Sequence, residues 1–184
     1  MTTDKSVTPE EVIAFWFEAG PKKWFAASAV FDAAIGARFG ATVDAAGAGR
    51  HDDWSQTPQG VLALVLLLDQ FTRNINRGQA ATWAHDARAL AIAEAAIDRG
   101  FDMDLSPEQR RFLYMPFMHS EDRGAQARSV ELGVRAEDEE HAKYARHHAD
   151  IIERFGRFPH RNAIVGRTST EDELAYLADD GFKG

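Results

Sequence analysis

"TPQGVLALVLLLDQFTRNINRG", residues 57–78, decides the fold. Thr57 followed by Pro58 is a helix start: the threonine can accept from a free backbone N–H, and proline suits the first helical position. From Gly60 to about Arg73 the spacing predicts one helix that is apolar nearly all round, so it is expected at the centre of the molecule. Its apolar run, VLALVLLL at 61–68, is far too short to span a bilayer. Arg73, Asn74, Asn76 and Arg77 then crowd the helix end before Gly78.

The flanks read the same way. Thr8, Pro9 and Glu11 form a capping-box signature, and the helix they open runs to Gly20. Residues 28–49 place Val30, Phe31, Ile35, Phe39 and Val43 on one face. Asp86 can cap a helix that Gly100 ends, and Ser106–Pro107 opens another, which Pro116 is expected to bend or interrupt. GAQARSVELGVRA and EDEEHAKYARHHADIIERFG follow, the second with acids early and Arg154 late, as the helix dipole prefers. Ser169 or Thr170 caps a short last helix. No segment alternates with the period of a strand. The fold class is therefore all-α, one helical domain over residues 1–184, with short connections that favour antiparallel neighbours.

Of 184 residues, 29 are acidic and 21 are Lys or Arg, a net charge of −8, which argues against a nucleic-acid binder. There is no cysteine, so disulfides and thiolate ligands are excluded. No two of the seven histidines stand at i, i+4, so no metal site is expected. No phosphate loop, dinucleotide fingerprint or nucleophile elbow occurs, so no cofactor is expected. The polar start MTTDKSVTPEE lacks a signal-peptide core, so a cytoplasmic protein with no membrane association is expected.

Three polar groups stand out. In LDQFTRNINRG, Asp69 and Arg73 are four apart and can pair on one helical face, with Gln70, Asn74 and Arg77 beside them. In YMPFMHSED, His119 and Glu121 end a helix, where an imidazole could act as general base beside a carboxylate. In RFGRFPHRN, Gly156 is the expected left-handed cap, and Phe155, Phe158 and Pro159 pin a basic turn. Arg157, His160, Arg161 and Asn162 are expected to project from that turn, with Arg154 just before it. On the preceding helix His141, Tyr144, His148, Ile151 or Ile152 and Phe155 share a face, so His148 points toward the core.

VIAFWFEAG…KWF, LLDQFTRNINRG, YMPFMHSED and RFGRFPHRNAIVGRTSTEDELAYL resemble the bacterial domain-of-unknown-function family numbered 924, over residues 10–178. The resemblance implies stacked antiparallel helix pairs, a tetratricopeptide-like α-α superhelix. It carries no established activity. Its recurring polar motifs match Asp69, Gln70, Arg73, Asn74, Arg77, His119, Ser120, Glu121, Arg154, Arg157, His160, Arg161 and Asn162 here. The chain departs from the family's proline at Thr72 and from its aromatic at Asn76, so the helix is expected to run on further.

The leading reading is a helical binding protein whose three motifs line one polar pocket. The pocket would take a small anionic molecule or a carboxylate-bearing peptide, with Asp69 and Glu121 as internal counter-charges. One alternative is a hydrolase-type enzyme with His119 or His160 as base and Glu121 or Asp69 as orienter. Another is a structural network whose polar groups satisfy one another. Oligomeric state is left open.

Overall fold

A computed structural model of the chain describes residues 7–24, 26–179 and 181–182. The N-terminal residues 1–6 and Phe25 of the KWF stretch lie outside the described residues. Helices α1 (Pro9–Ala19), α2 (Pro21–Trp24), α3 (Ala29–Gly47), α4 (Pro58–Val65), α5 (Thr72–Ile75), α6 (Asp86–Asp98), α7 (Pro107–His119), α8 (Arg123–Arg135), α9 (Glu139–Phe155) and α10 (Glu171–Ala178) follow one another, with no strand among the described residues. The all-α expectation is met. No helix among them is long and apolar enough to cross a membrane.

The described residues group into two compact units, one from Met1–Arg77 with Ala81–Pro116 and one from Gly78–Ala80 with Phe117–Gly184. In the first unit the helix that starts at Thr57 is fully buried from Val61 to Thr72. Complete burial of each leucine there contributes about 1.5–3 kcal/mol. The Thr57 hydroxyl accepts from the Gly60 N–H at 3.1 Å, as read from the sequence. Between α4 and α5 the helix widens into a π turn, Leu66–Phe71, and continues to Ile75. Thr72 holds that turn twice: its N–H reaches back five residues to the Leu67 carbonyl, and its hydroxyl donates to the same oxygen at 3.0 Å.

Around this helix pack Val12 and Trp16 of α1 and Phe31, Ile35, Phe39 and Val43 of α3, all buried. Trp24 donates its indole N–H to the Trp16 carbonyl at 2.7 Å and stacks on that ring. Phe15 and Phe17, one step to either side of the buried Trp16, are both half-buried. Val30 is 83% exposed and does not share the inner face: it is the second residue of α3, one step (about 100°) round from Phe31. Asp86 is the first residue of α6 rather than its cap, and His85 precedes it without a side-chain bond.

α7 runs unbroken through Pro116. Residues 112–118 are all buried, and that packing outweighs the ~3 kcal/mol cost of an internal proline. In the second unit α8 and α9 are joined by three residues, and Gly133 sets their closest approach. A Cβ there would lie 2.9 Å from both the N and the Cα of Ala142. Gly133→Ala should therefore destabilise the protein by about 1–2 kcal/mol despite alanine's better helix propensity, as read from urea denaturation. α9 buries His141, Ala142, Ala145, His148, Ile151 and Ile152, while Tyr144, at the edge of that stripe, is 52% exposed. Gly156 ends α9 in the left-handed region at φ 70°, as expected.

Candidate functional site

In the first unit the widened turn carries Asp69 and Gln70 inward together, both buried, whereas Arg73 one turn on is half-buried. The Gln70 amide donates to Asp69 Oδ2 at 2.6 Å and lies 3.2 Å from the Met115 thioether. One guanidinium nitrogen of Arg73 sits 2.9 Å from Asp69 Oδ1 and also donates to the Asp69 carbonyl. The same guanidinium clasps Asp86 with two bonds of 2.9 and 3.0 Å. Burial would lower the Arg73 pKa, but the charges of Asp69 and Asp86 outweigh it and raise it. Asp32 on α3 plays the matching part for Asn74, which donates at 2.7 Å, and for Arg77, whose fork donates at 2.9 and 3.1 Å. Burial pushes the Asp32 carboxyl up, and the Arg77 and Asn74 hydrogen bonds bring it net below its usual value.

The second unit holds His119, Glu121, His148, Arg154, Arg157, His160, Arg161 and Asn162. Phe158 and Pro159 are buried, as expected for the pinned turn. Arg161 and Asn162, however, do not project. They are 8% and 0% exposed, because their polar groups find acceptors inside. Arg161 donates to the His119 carbonyl at 2.9 Å, at the end of α7, and lies over the Phe158 ring. Asn162 donates to Ser169 at 3.1 Å and to Glu173 Oε2 at 3.2 Å. Arg154 stays exposed, 4.6 Å over the Phe155 ring and only 3.8 Å from Asp172.

Two carboxylates organise this turn. Glu121 accepts from the Phe158 N–H at 2.8 Å and from both ends of the Arg167 fork at 2.7 and 2.9 Å. Burial would raise its pKa, and the Arg167 and Phe158 bonds bring it net below the ordinary value. Glu173 of α10 accepts the Arg157 fork at 2.6 and 2.8 Å and the Thr170 N–H at 2.8 Å. The Arg157 bonds, against the burial that would raise it, take the Glu173 carboxyl down to about 2. His148 points inward as expected, with Nδ1 2.8 Å from the Tyr144 carbonyl. Burial lowers it to about 3, so it is neutral at neutral pH. No group of three or more His, Asp or Glu among the described residues is arranged to hold a metal ion.

The sequence motifs therefore find Arg73, Arg77 and Arg157 together with the carboxylates Asp69 and Glu121, and miss Arg167 and the pairing roles of Asp32, Asp86 and Glu173. Glu173 had one visible signal, its place three residues after Thr170 in a capping box that the structure forms.

The class these contacts define is an all-helical protein in which Arg73, Arg77, Arg157 and Arg167 are clasped by carboxylates of the same chain. The chain belongs to the family described as bacterial protein of unknown function (DUF924), whose model matches residues 12–181. It is similar to a solved structure, that of the protein of unknown function ATU0120 from Agrobacterium tumefaciens. The two share 43% sequence identity with a TM-score of 0.90, and the match covers 93% of this chain and 97% of that one. No curated protein matches the chain.

Proposed function

We propose that this chain is a cytoplasmic helical binding protein for a carboxylate-bearing peptide, and that its motif arginines fasten helix ends rather than receive a free small anion. One observation carries the second half of this reading. Each of Arg73, Arg77, Arg157 and Arg167 meets a carboxylate of the chain within hydrogen-bond distance. At these four arginines the positive charge that would have called for a free anion is matched internally. The hydrolase reading loses support from the same contacts, since Glu121 is engaged by Arg167 and the Phe158 N–H instead of orienting an imidazole. The antiparallel pair α8 and α9, with its three-residue connection, supports a tetratricopeptide-like stacking of helix pairs, a shape that commonly presents a peptide-binding face.

Thermal unfolding against a panel of small carboxylates and phosphates tests this. The melting temperature of the wild type should match that in chloride at equal ionic strength, while Arg157→Ala and Arg73→Ala should melt lower. A bound anion at a hundred times its dissociation constant would add about 2.7 kcal/mol. An anion that stabilises the wild type but not Arg157→Ala or Arg161→Ala would overturn the proposal.

A further inference from the structure

We propose that Glu173 is the resident occupant of a carboxylate-recognition site, and that an acidic segment of a partner takes its place when α10 lifts away. This rests on the binding-protein reading above and names its site. The groups that hold this carboxylate have contacts besides it. Arg157 is aimed by its second contact, a 2.9 Å bond to the Thr168 carbonyl. Asn162 is fully buried and fixed by Ser169, and Phe158 and Pro159 hold the turn between them in the interior. The bidentate fork plus an amide donor is the geometry that recognises a planar carboxylate. With the Thr170 N–H added, Glu173 Oε2 receives three donors and Oε1 one, which leaves the carboxylate fully satisfied.

Besides Glu173, the segment is held by two partly buried rings, Tyr176 and Phe182, packed against Ile151, Ile152 and Phe158. Glu173 is the sole buried residue of α10, and Leu174 is 56% exposed. Tyr176 rests half-buried on Phe155, with ring centres 5.0 Å apart. Beyond the helix, Phe182 sets its ring against His147, His148 and His160 at 5.6, 4.6 and 5.2 Å, and its N–H donates to the Tyr176 hydroxyl. A segment at the chain's surface whose apolar side chains are all only partly buried opens at less than the global unfolding free energy. When it opens, the half-exposed fork of Arg157 and the buried Asn162 amide are left without their carboxylate, beside Phe155. The matching partner segment is a helix start carrying glutamate with an aromatic residue three positions on, the pattern of Glu173 and Tyr176 themselves.

The test uses the full chain with Glu173→Ala, in which the cradle loses its carboxylate. Acetate, compared with chloride at equal ionic strength, should raise the melting temperature of Glu173→Ala. It should leave the wild type and the Glu173→Ala/Arg157→Gln double variant unchanged. A labelled peptide STEDELAYLADDGF, residues 169–182, should bind Glu173→Ala in a fluorescence-anisotropy titration at least about tenfold more tightly than it binds the wild type, where the tethered glutamate competes at high effective concentration. The double variant should lose that gain. Acetate no better than chloride, or peptide binding indifferent to Arg157, overturns the site. Acetate rescue without peptide binding overturns the acidic-segment assignment in favour of free carboxylates. Should Glu173→Ala fail to fold, Glu173→Gln keeps the volume and removes the charge, and equal peptide affinity for it and the wild type overturns the proposal.

Discussion

Arg73→Met should destabilise the protein by about 3–5 kcal/mol, the range seen when one member of a buried ion pair is removed and the other stays. Asp69 has no solvent exposure, so it cannot recover its hydration when the guanidinium goes. The Gln70 amide that also donates to it is neutral and cannot offset its charge. Asp86 suffers less, because its side chain keeps 17% exposure. The damage should be specific to the charge left behind. The double variant Asp69→Leu/Arg73→Met should therefore regain a substantial part of the loss, since an apolar pair of similar volume replaces a buried ion pair at little cost. Arg77→Ala is the control: its side chain is 48% exposed, and loss of its pair with Asp32 should change stability by no more than about 1 kcal/mol. Urea denaturation of the four proteins reads this directly. An Arg73→Met variant within about 1 kcal/mol of wild type would show that Asp69 is not held as a buried charge.

The helix order was legible because starts and stops are local chemistry. Thr8, Thr57, Ser106 and Thr170 each accept from a backbone N–H three residues on, and each was readable as Ser or Thr before a helical run. Gly156 was readable for the same reason, since a left-handed terminus favours the residue without a Cβ. Features decided by tertiary packing were not. The π turn at Leu66–Phe71 lies in a stretch that is apolar all round, where periodicity cannot register one extra residue in a turn. Pro116 signals a break on local grounds, yet it sits in seven consecutive buried residues whose packing holds the helix together.

Residue types at the site were legible, while pairings were not. Arg73 to Asp69 is an i, i+4 contact that helical geometry gives outright. Arg77 to Asp32, Arg167 to Glu121 and Arg157 to Glu173 span 45, 46 and 16 positions, and nothing in spacing selects those partners among 29 acids. The inward turn of Arg161 and Asn162 has the same origin. A cluster of basic residues looks like a projecting surface until the His119 carbonyl and the Glu173 carboxylate are placed beneath it. The basic stretch 154–162 thus turns mostly inward: it binds carboxylates and carbonyls of its own chain.

Acid should destabilise the second unit in two stages with different owners. His148 titrates at about 3 in the folded protein against an ordinary 6.5, because burial disfavours the imidazolium. Below pH 6.5 the unfolded chain therefore takes up a proton that the folded chain refuses, and stability falls as pH falls. By about pH 5 the loss from this group alone amounts to roughly 2 kcal/mol. The carboxyl of Glu173, held at about 2 against an ordinary 4.5, contributes stability that is intact above 4.5 and disappears as pH drops through its folded value. Glu121, lowered by Arg167, acts in the same direction. The stages separate by substitution. His148→Phe removes the titrating group while keeping a ring against Phe158 and Phe182, so its stability should hold nearly level between neutral pH and about pH 5, where the wild type declines. Glu173→Gln should be less stable at neutral pH, follow the wild type over that interval, and lose less than it below pH 4.5. Urea midpoints measured across the pH series distinguish these outcomes. A His148→Phe profile parallel to the wild type would place the first proton uptake on another group and remove His148 from the account of acid sensitivity.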